Sequence, residues 1–133
     1  MAHKTFIKSY TRRDILKAGA ASAIAVNFLP SRVFGANERL AVAGIGVGGK
    51  GGSDINGAGR IGDVVALCDV DFRRGAGAAK NFPKAKRFTD FREMLDKMGK
   101  EIDACTVSTP DHTHAPAAIR AMRQGIHVYC QKP

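Results

Sequence analysis

Four stretches of this chain hold residues whose types and spacing could do chemistry. The first is Gly44-Ile45-Gly46-Val47-Gly48-Gly49, directly after the apolar run Leu40-Ala41-Val42-Ala43. A G-x-G-x-x-G turn between a strand and a helix lets backbone N–H groups and the positive helix end meet phosphate oxygens. Gly44 would permit the tight turn, Gly46 would let the backbone approach a pyrophosphate between Ile45 and Val47, and Gly49 would let the helix pack close. The second is Asp69, 20 residues after Gly49, at the end of Val64-Val65-Ala66-Leu67-Cys68. A carboxylate at that place can accept both ribose hydroxyls of an adenosine half. The third is Thr109-Pro110-Asp111-His112-Thr113-His114, and the fourth is Lys132. A lysine at the carboxyl end of a strand can hydrogen-bond a substrate hydroxyl and stabilise an alkoxide.

Each stretch also has a plainer reading. A glycine cluster can be a structural turn, or the loop of a related fold holding another adenosine ligand such as S-adenosylmethionine. Asp69 would repel a 2′-phosphate, which favours NAD over NADP, although Arg73 and Arg74 lie close enough in sequence to offset that repulsion. His114 can hydrogen-bond near a cofactor or only brace a helix start. His112 and His114 are two apart, so a helix start points them to different sides; no metal site is expected. His127 reads as structural. A lysine in Lys132's position is commonly a solvated charge.

The elements that must position these residues alternate between strand and helix, which argues for an α/β fold. Strands are expected at 40–43, 64–69, 87–88, 102–108 and 126–130. Helices are expected near 50–56, over 72–81 ahead of Pro83, from Thr89 or Asp90 to Met98, and over 113–124 with Pro116 in the first turn. Asn56-Gly57-Ala58-Gly59 reads as a turn. Phe91, Met94, Leu95 and Met98 share one helical face, as do Ala117, Ala118, Ala121 and Met122. The whole is a Rossmann-type parallel sheet with helices on both faces, whose open crevice lies at the carboxyl ends of the strands.

The 133 residues carry 21 Lys and Arg against 12 Asp and Glu, a net charge of +9. Residues 1–36 hold six bases and one acid, net +5, leaving 15 bases and 11 acids, net +4, in 37–133. More than half of the excess sits in the first quarter of the chain and no aromatic–basic patch stands out, so nucleic acid is not an expected partner. Cys68, Cys105 and Cys130 form no C-x-x-C pair and read as small buried side chains.

The charged first quarter has its own pattern. Thr11-Arg12-Arg13-Asp14-Ile15-Leu16-Lys17 precedes a small, apolar stretch from Ala18 to Leu29. That stretch is shorter than the roughly 20 residues of a membrane span. The pattern is similar to a twin-arginine export signal, with Ile15 where Phe is usual and Val33-Phe34-Gly35 as an inexact cleavage site. Residues 1–36 are therefore expected to be a signal segment read by the twin-arginine machinery, with a periplasmic or exported destination and no stable membrane span. Residues 37–133 are expected to be the nucleotide-binding domain.

Gly44 to Gly49, Asp69, Thr109-Pro110-x-x-x-His114 and Gly125-x-His127-Val128-x-x-Gln131-Lys132-Pro133 together resemble the N-terminal half of a Gfo/Idh/MocA oxidoreductase, the family of glucose–fructose oxidoreductase and inositol dehydrogenase. The resemblance implies a Rossmann domain for NAD or NADP, a polyol or sugar substrate, and a lysine near nicotinamide and substrate at Lys132. Some family members cleave glycosidic bonds through transient oxidation. Gln131 stands where the family usually has Glu, which brings no charge to hold Lys132. Relatives continue into a substrate domain that carries a further acid–base residue and the oligomer interface. The chain thus reads as truncated after the fifth strand, with the substrate domain absent and inactive alone. A non-catalytic NAD(P)-binding module is the competing class.

Overall fold

The computed structural model describes residues 39–133. The expectations placed on the leader, its arginine pair and its cleavage site all lie outside the described residues. Five strands form one parallel sheet: β1 (Leu40–Ile45), β2 (Gly62–Cys68), β3 (Lys86–Phe88), β4 (Ala104–Val107) and β5 (His127–Cys130), in the order β3-β2-β1-β4-β5. Four α-helices connect them: α1 (Lys50–Ala58), α2 (Ala76–Asn81), α3 (Phe91–Met98) and α4 (Asp111–Arg123), with a 3-10 turn at Gly99–Glu101.

The period-2 pattern of the central strands sorts their side chains to two faces. Val42 and Leu67 point one way and pack with Val47, Ile55, Ala78, Ala79 and Ala85 under α1 and α2. Ala43, Ile45, Ala66 and Cys68 point the other way and pack with Met94, Leu95, Met98, Ala117 and Ala121 of α3 and α4. Each fully buried Ile or Leu among them stabilises the fold by about 1.5–3 kcal/mol relative to exposure. The order of winding reverses between β1 and β4: β2 and β3 are laid down on one side of β1, β4 and β5 on the other. Val42 to Ile45 pair with Ala104 to Val107 across that point. The reversal opens a crevice at the carboxyl ends of the two strands.

Local chemistry explains the element ends. Asp90 caps α3 by accepting the Arg92 N–H at 2.8 Å, which leaves Phe91, Met94, Leu95 and Met98 facing the core. Gly125, at φ +80°, turns the chain from α4 into β5.

Several expectations need correction. α1 runs through Asn56 and Gly57 to Ala58, so the turn comes at Gly59 to Ile61. α2 begins only at Ala76, because 72–75 are tied into turns by Asp71, whose carbonyl accepts from Arg74 and Gly75. α4 starts at Asp111, so Pro116 lies inside the helix and leaves the His112 carbonyl without its i+4 donor. Met122 is exposed while Ala117, Ala118 and Ala121 are buried. Cys130 is exposed, β5 being at the edge of the sheet among the described residues; Cys68 and Cys105 are buried in β2 and β4.

Candidate functional site: the glycine loop and the crevice above β1 and β4

β1 ends at Ile45, and the backbone turns at Gly46, which has φ +77° and donates its N–H to the Cys68 carbonyl at 2.8 Å. A Cβ at 46 would stand 2.8 Å from the Ser108 carbonyl oxygen. The tight turn therefore falls at Gly46, whereas Gly44 lies within the strand beneath Val47 and Ile55. The close helix–strand contact falls at Gly51, where a Cβ would stand 1.7 Å from the Gly46 carbonyl oxygen. Gly49 has open space around it but a φ of +54° that side chains rarely adopt. The functional geometry thus belongs to a second G-x-G-x-x-G spacing in the same run: Gly46, Gly48 and Gly51. Only the position where β1 stops distinguishes the two.

Asp69 follows β2 and reaches across to this loop. Its Oδ2 accepts the N–H groups of Val47 and Gly48, both at 2.9 Å, and its Oδ1 accepts the Asp71 N–H at 2.9 Å. A carboxylate has about four acceptor positions, so three are occupied by backbone. One remains for a ribose hydroxyl, fewer than the two expected from sequence, unless a loop amide is released. Asp69 is therefore also the staple that shapes the glycine loop.

A cleft of about 710 Å³ opens beside these groups. Ile45, Gly46, Gly48 and Gly49 line it from the loop, Asp69 and Arg74 from the end of β2, and Ser108, Thr109 and Pro110 from the end of β4. Val70, also on its wall, is 89% exposed, an apolar side chain offered to an apolar ligand surface. The Thr109 hydroxyl is buried without a hydrogen-bond partner. An orphaned buried hydroxyl and a loop stripped of side chains both fit a ligand rich in phosphate and hydroxyl oxygens. Arg73 is committed to Asp71, 2.8 Å away, and holds that carboxyl below its usual range; Arg74 lines the cleft.

Other expected site residues lie elsewhere. Val47 is buried, with only its amide engaged at Asp69. The His114 Nε2 is 2.6 Å from the Thr109 carbonyl oxygen, so it donates there and braces the start of α4; His112 and Thr113 line the cleft in its place. Lys132 is exposed, with Nζ donating to the Pro133 carbonyl at 3.0 Å, and is not part of the cleft wall. Sequence reasoning missed Asp54 and Ser108, whose side chains meet at 2.8 Å. The available signal was an acid one turn after Lys50 in the first helix behind a glycine loop. Among the described residues no group of three His, Cys, Asp or Glu could hold a metal, and no helix is long and apolar enough to cross a membrane.

A parallel sheet with this strand reversal, a glycine turn against a helix start, and an acid after the second strand define a dinucleotide-binding Rossmann domain. Residues 39–133 match the family described as "Oxidoreductase family, NAD-binding Rossmann fold" (GFO_IDH_MocA). The chain belongs to the Gfo/Idh/MocA family, and these residues form its NAD-binding domain. Among relatives, it is 32% identical over 106 residues to an inositol 2-dehydrogenase of Rubrobacter xylanophilus, covering 74% of this chain and 28% of that protein. It is 29% identical over 133 residues to a glycosyl hydrolase family 109 protein of Stenotrophomonas maltophilia, covering 90% of this chain and 29% of that protein. A UDP-N-acetylglucosamine 3-dehydrogenase structure from Acidithiobacillus ferrooxidans superposes with a TM-score of 0.60 at 27% identity, over 71% of this chain and 30% of the other. The chain thus spans less than a third of the length of the curated relatives it matches.

Proposed function

We propose that this chain is the nucleotide-binding part of an exported NAD-dependent oxidoreductase that acts on a hydroxyl of a sugar or cyclitol. The observation that carries the reading is the cleft between Gly46, Asp69 and Thr109, where bare loop backbone, a spare carboxylate position and an unpartnered hydroxyl converge. The names of the inositol and nucleotide-sugar dehydrogenases support the substrate class. NAD, when bound, supplies an acceptor for hydride from a carbinol carbon. With the N–H groups of Gly46, Val47 and Gly48 held by Cys68 and Asp69, phosphate is held by N–H donation from Gly49 and Lys50 at the start of α1, and Asp69 selects the unphosphorylated ribose by charge. Thr109 Oγ1 gains a partner on binding. Lys132, two residues beyond β5, holds or accepts the proton at a substrate hydroxyl.

Arg12 and Arg13 mark the leader for the twin-arginine machinery, and the residues from 37 onward act outside the cytoplasm. Arg12→Lys with Arg13→Lys is expected to abolish periplasmic accumulation; equal yield refutes export by that route. For the cofactor, calorimetric titration of the 133-residue chain is expected to give NAD binding at least tenfold tighter than NADP binding. Asp69→Asn is expected to narrow that ratio. Unchanged discrimination refutes the ribose assignment. A second reading, glycoside cleavage through transient oxidation, is favoured by the alignment to the family 109 hydrolase, which covers 90% of this chain. An NAD-loaded, full-length protein that cleaves an aryl glycoside without net NADH formation distinguishes it.

A further inference from the structure

One carboxylate joins three separate elements at the carboxyl edge of the sheet. Asp54 sits in α1, yet its side chain is only 7% exposed. Its Oδ1 pairs with Lys50, and its Oδ2 accepts both the Ser108 hydroxyl at 2.8 Å and the Gln131 side-chain amide at 3.1 Å. Ser108 follows β4 and Gln131 follows β5. Because an ionised carboxylate only accepts, the Gln131 amide must turn its nitrogen toward Asp54. Its Oε1 is then free to accept the Lys132 backbone N–H, which it does at 2.9 Å. A continuous path runs from α1 through Gln131 to the peptide that carries Lys132.

We infer that Asp54 is a positioning residue: through Gln131 it fixes the end of β5, and its charge is what requires an amide rather than a carboxylate at position 131. That Lys132 is the group being placed rests on the proposed function; the Asp54–Gln131 pairing does not. An ionised glutamate at this position could not donate, and it would set two carboxylates about 3 Å apart, a distance at which like charges force one to take up a proton. Burial pulls the Asp54 carboxyl upward, but donation from Lys50, Ser108 and Gln131, together with the Lys50 charge, outweighs it and holds the group below its ordinary value. The other titratable or charged groups around the pair are Lys50 on α1, Tyr129 on β5, which couples to Lys50, and Lys132 itself.

A charge-swap cycle in the 133-residue chain tests this. Gln131→Glu is expected to lower the unfolding midpoint at pH 7 by roughly 5–10 °C. The loss should shrink by at least half at pH 5, as the carboxyl pair binds a proton. Adding Asp54→Asn, whose amide can donate to the introduced carboxylate, should restore at least half of the loss at pH 7 and remove the pH dependence. A ¹⁵N-labelled chain should show the Lys132 amide resonance moving in Asp54→Asn. Wild-type stability in Gln131→Glu, additive losses in the double variant, or an unmoved Lys132 resonance would overturn the inference. If Gln131→Glu folds at no pH, the double variant decides alone: folded at pH 7 supports the pairing, and unfolded refutes it. NAD titration of the wild type reports separately on the function, so a failed cofactor reading and a failed pairing are distinguishable.

Discussion

Replacing Gly51 with alanine probes the contact on which the crevice depends. The added Cβ would lie 1.7 Å from the Gly46 carbonyl oxygen, and real Cβ atoms essentially never come within 3.0 Å, so α1 must withdraw by at least 1.3 Å. Gly46 is itself tied to the sheet, its N–H donating to the Cys68 carbonyl at 2.8 Å. Withdrawal also loosens Ile55, which is fully buried against the sheet. Overpacking of this kind costs about 1–3 kcal/mol, and partial loss of a buried Ile contact adds to it, for a total of about 3 kcal/mol. In a domain this small each kcal/mol moves the unfolding midpoint by about 4–8 °C, giving a fall of roughly 12–24 °C. Gly57→Ala is the control: it lies in the same helix, with nothing within 4 Å of the new Cβ and no strained φ. Its better helix propensity should raise stability by about 0.5–1 kcal/mol, or about 2–8 °C. Thermal unfolding by circular dichroism of both variants reads the difference. A Gly51→Ala midpoint within about 2 °C of wild type refutes the Gly46–Gly51 contact and the loop geometry built on it.

Three further outcomes are expected. Burial, then the charges of Asp90, Asp69 and Glu93, pushes the Cys68 thiol up to about 12, and burial likewise raises Cys105 to about 12, so a thiol reagent at pH 8 should label only the exposed Cys130 in the folded chain and all three thiols in denaturant. Fast native labelling of all three would refute the packing of β2 and β4. The same thiols make the fold hold its protons longer than the unfolded chain does, so their contribution to stability is complete below the ordinary value of 9.0 and falls as pH climbs from there toward 12; denaturant titrations across that range should show the decline. Asp90→Ala removes the cap of α3 and should cost about 0.5–2 kcal/mol in urea unfolding.

The alternation of strands with helices and most of both core faces could be read from sequence because they follow from long, periodic signals. Val64 to Cys68 is apolar throughout, and Phe91, Met94, Leu95 and Met98 repeat at helical spacing. The glycine register could not, since Gly44-x-Gly46-x-x-Gly49 and Gly46-x-Gly48-x-x-Gly51 are both present and only the strand end separates them. Asp69 was legible as an acid after β2. Its engagement by Val47 and Gly48 was not, because backbone donors carry no residue signature. Ser108 and Gln131 lie 54 and 77 residues beyond Asp54, and only the folded sheet edge brings the three together. Met122 and Cys130 failed for a common reason: local periodicity does not reveal which side of an element has a neighbour.

The central place of β1 has a consequence for how the chain comes to be made. Its partner β4 lies far along the chain, with Ala43 paired to Cys105. During synthesis the first strand can acquire β2 early, yet one of its flanks stays without a mate until Val107 has cleared the ribosome. Such non-local pairing raises contact order and slows folding. Mutations that weaken β4 lengthen the interval in which the nascent chain is open to chaperones and proteases without touching a single residue of the glycine loop.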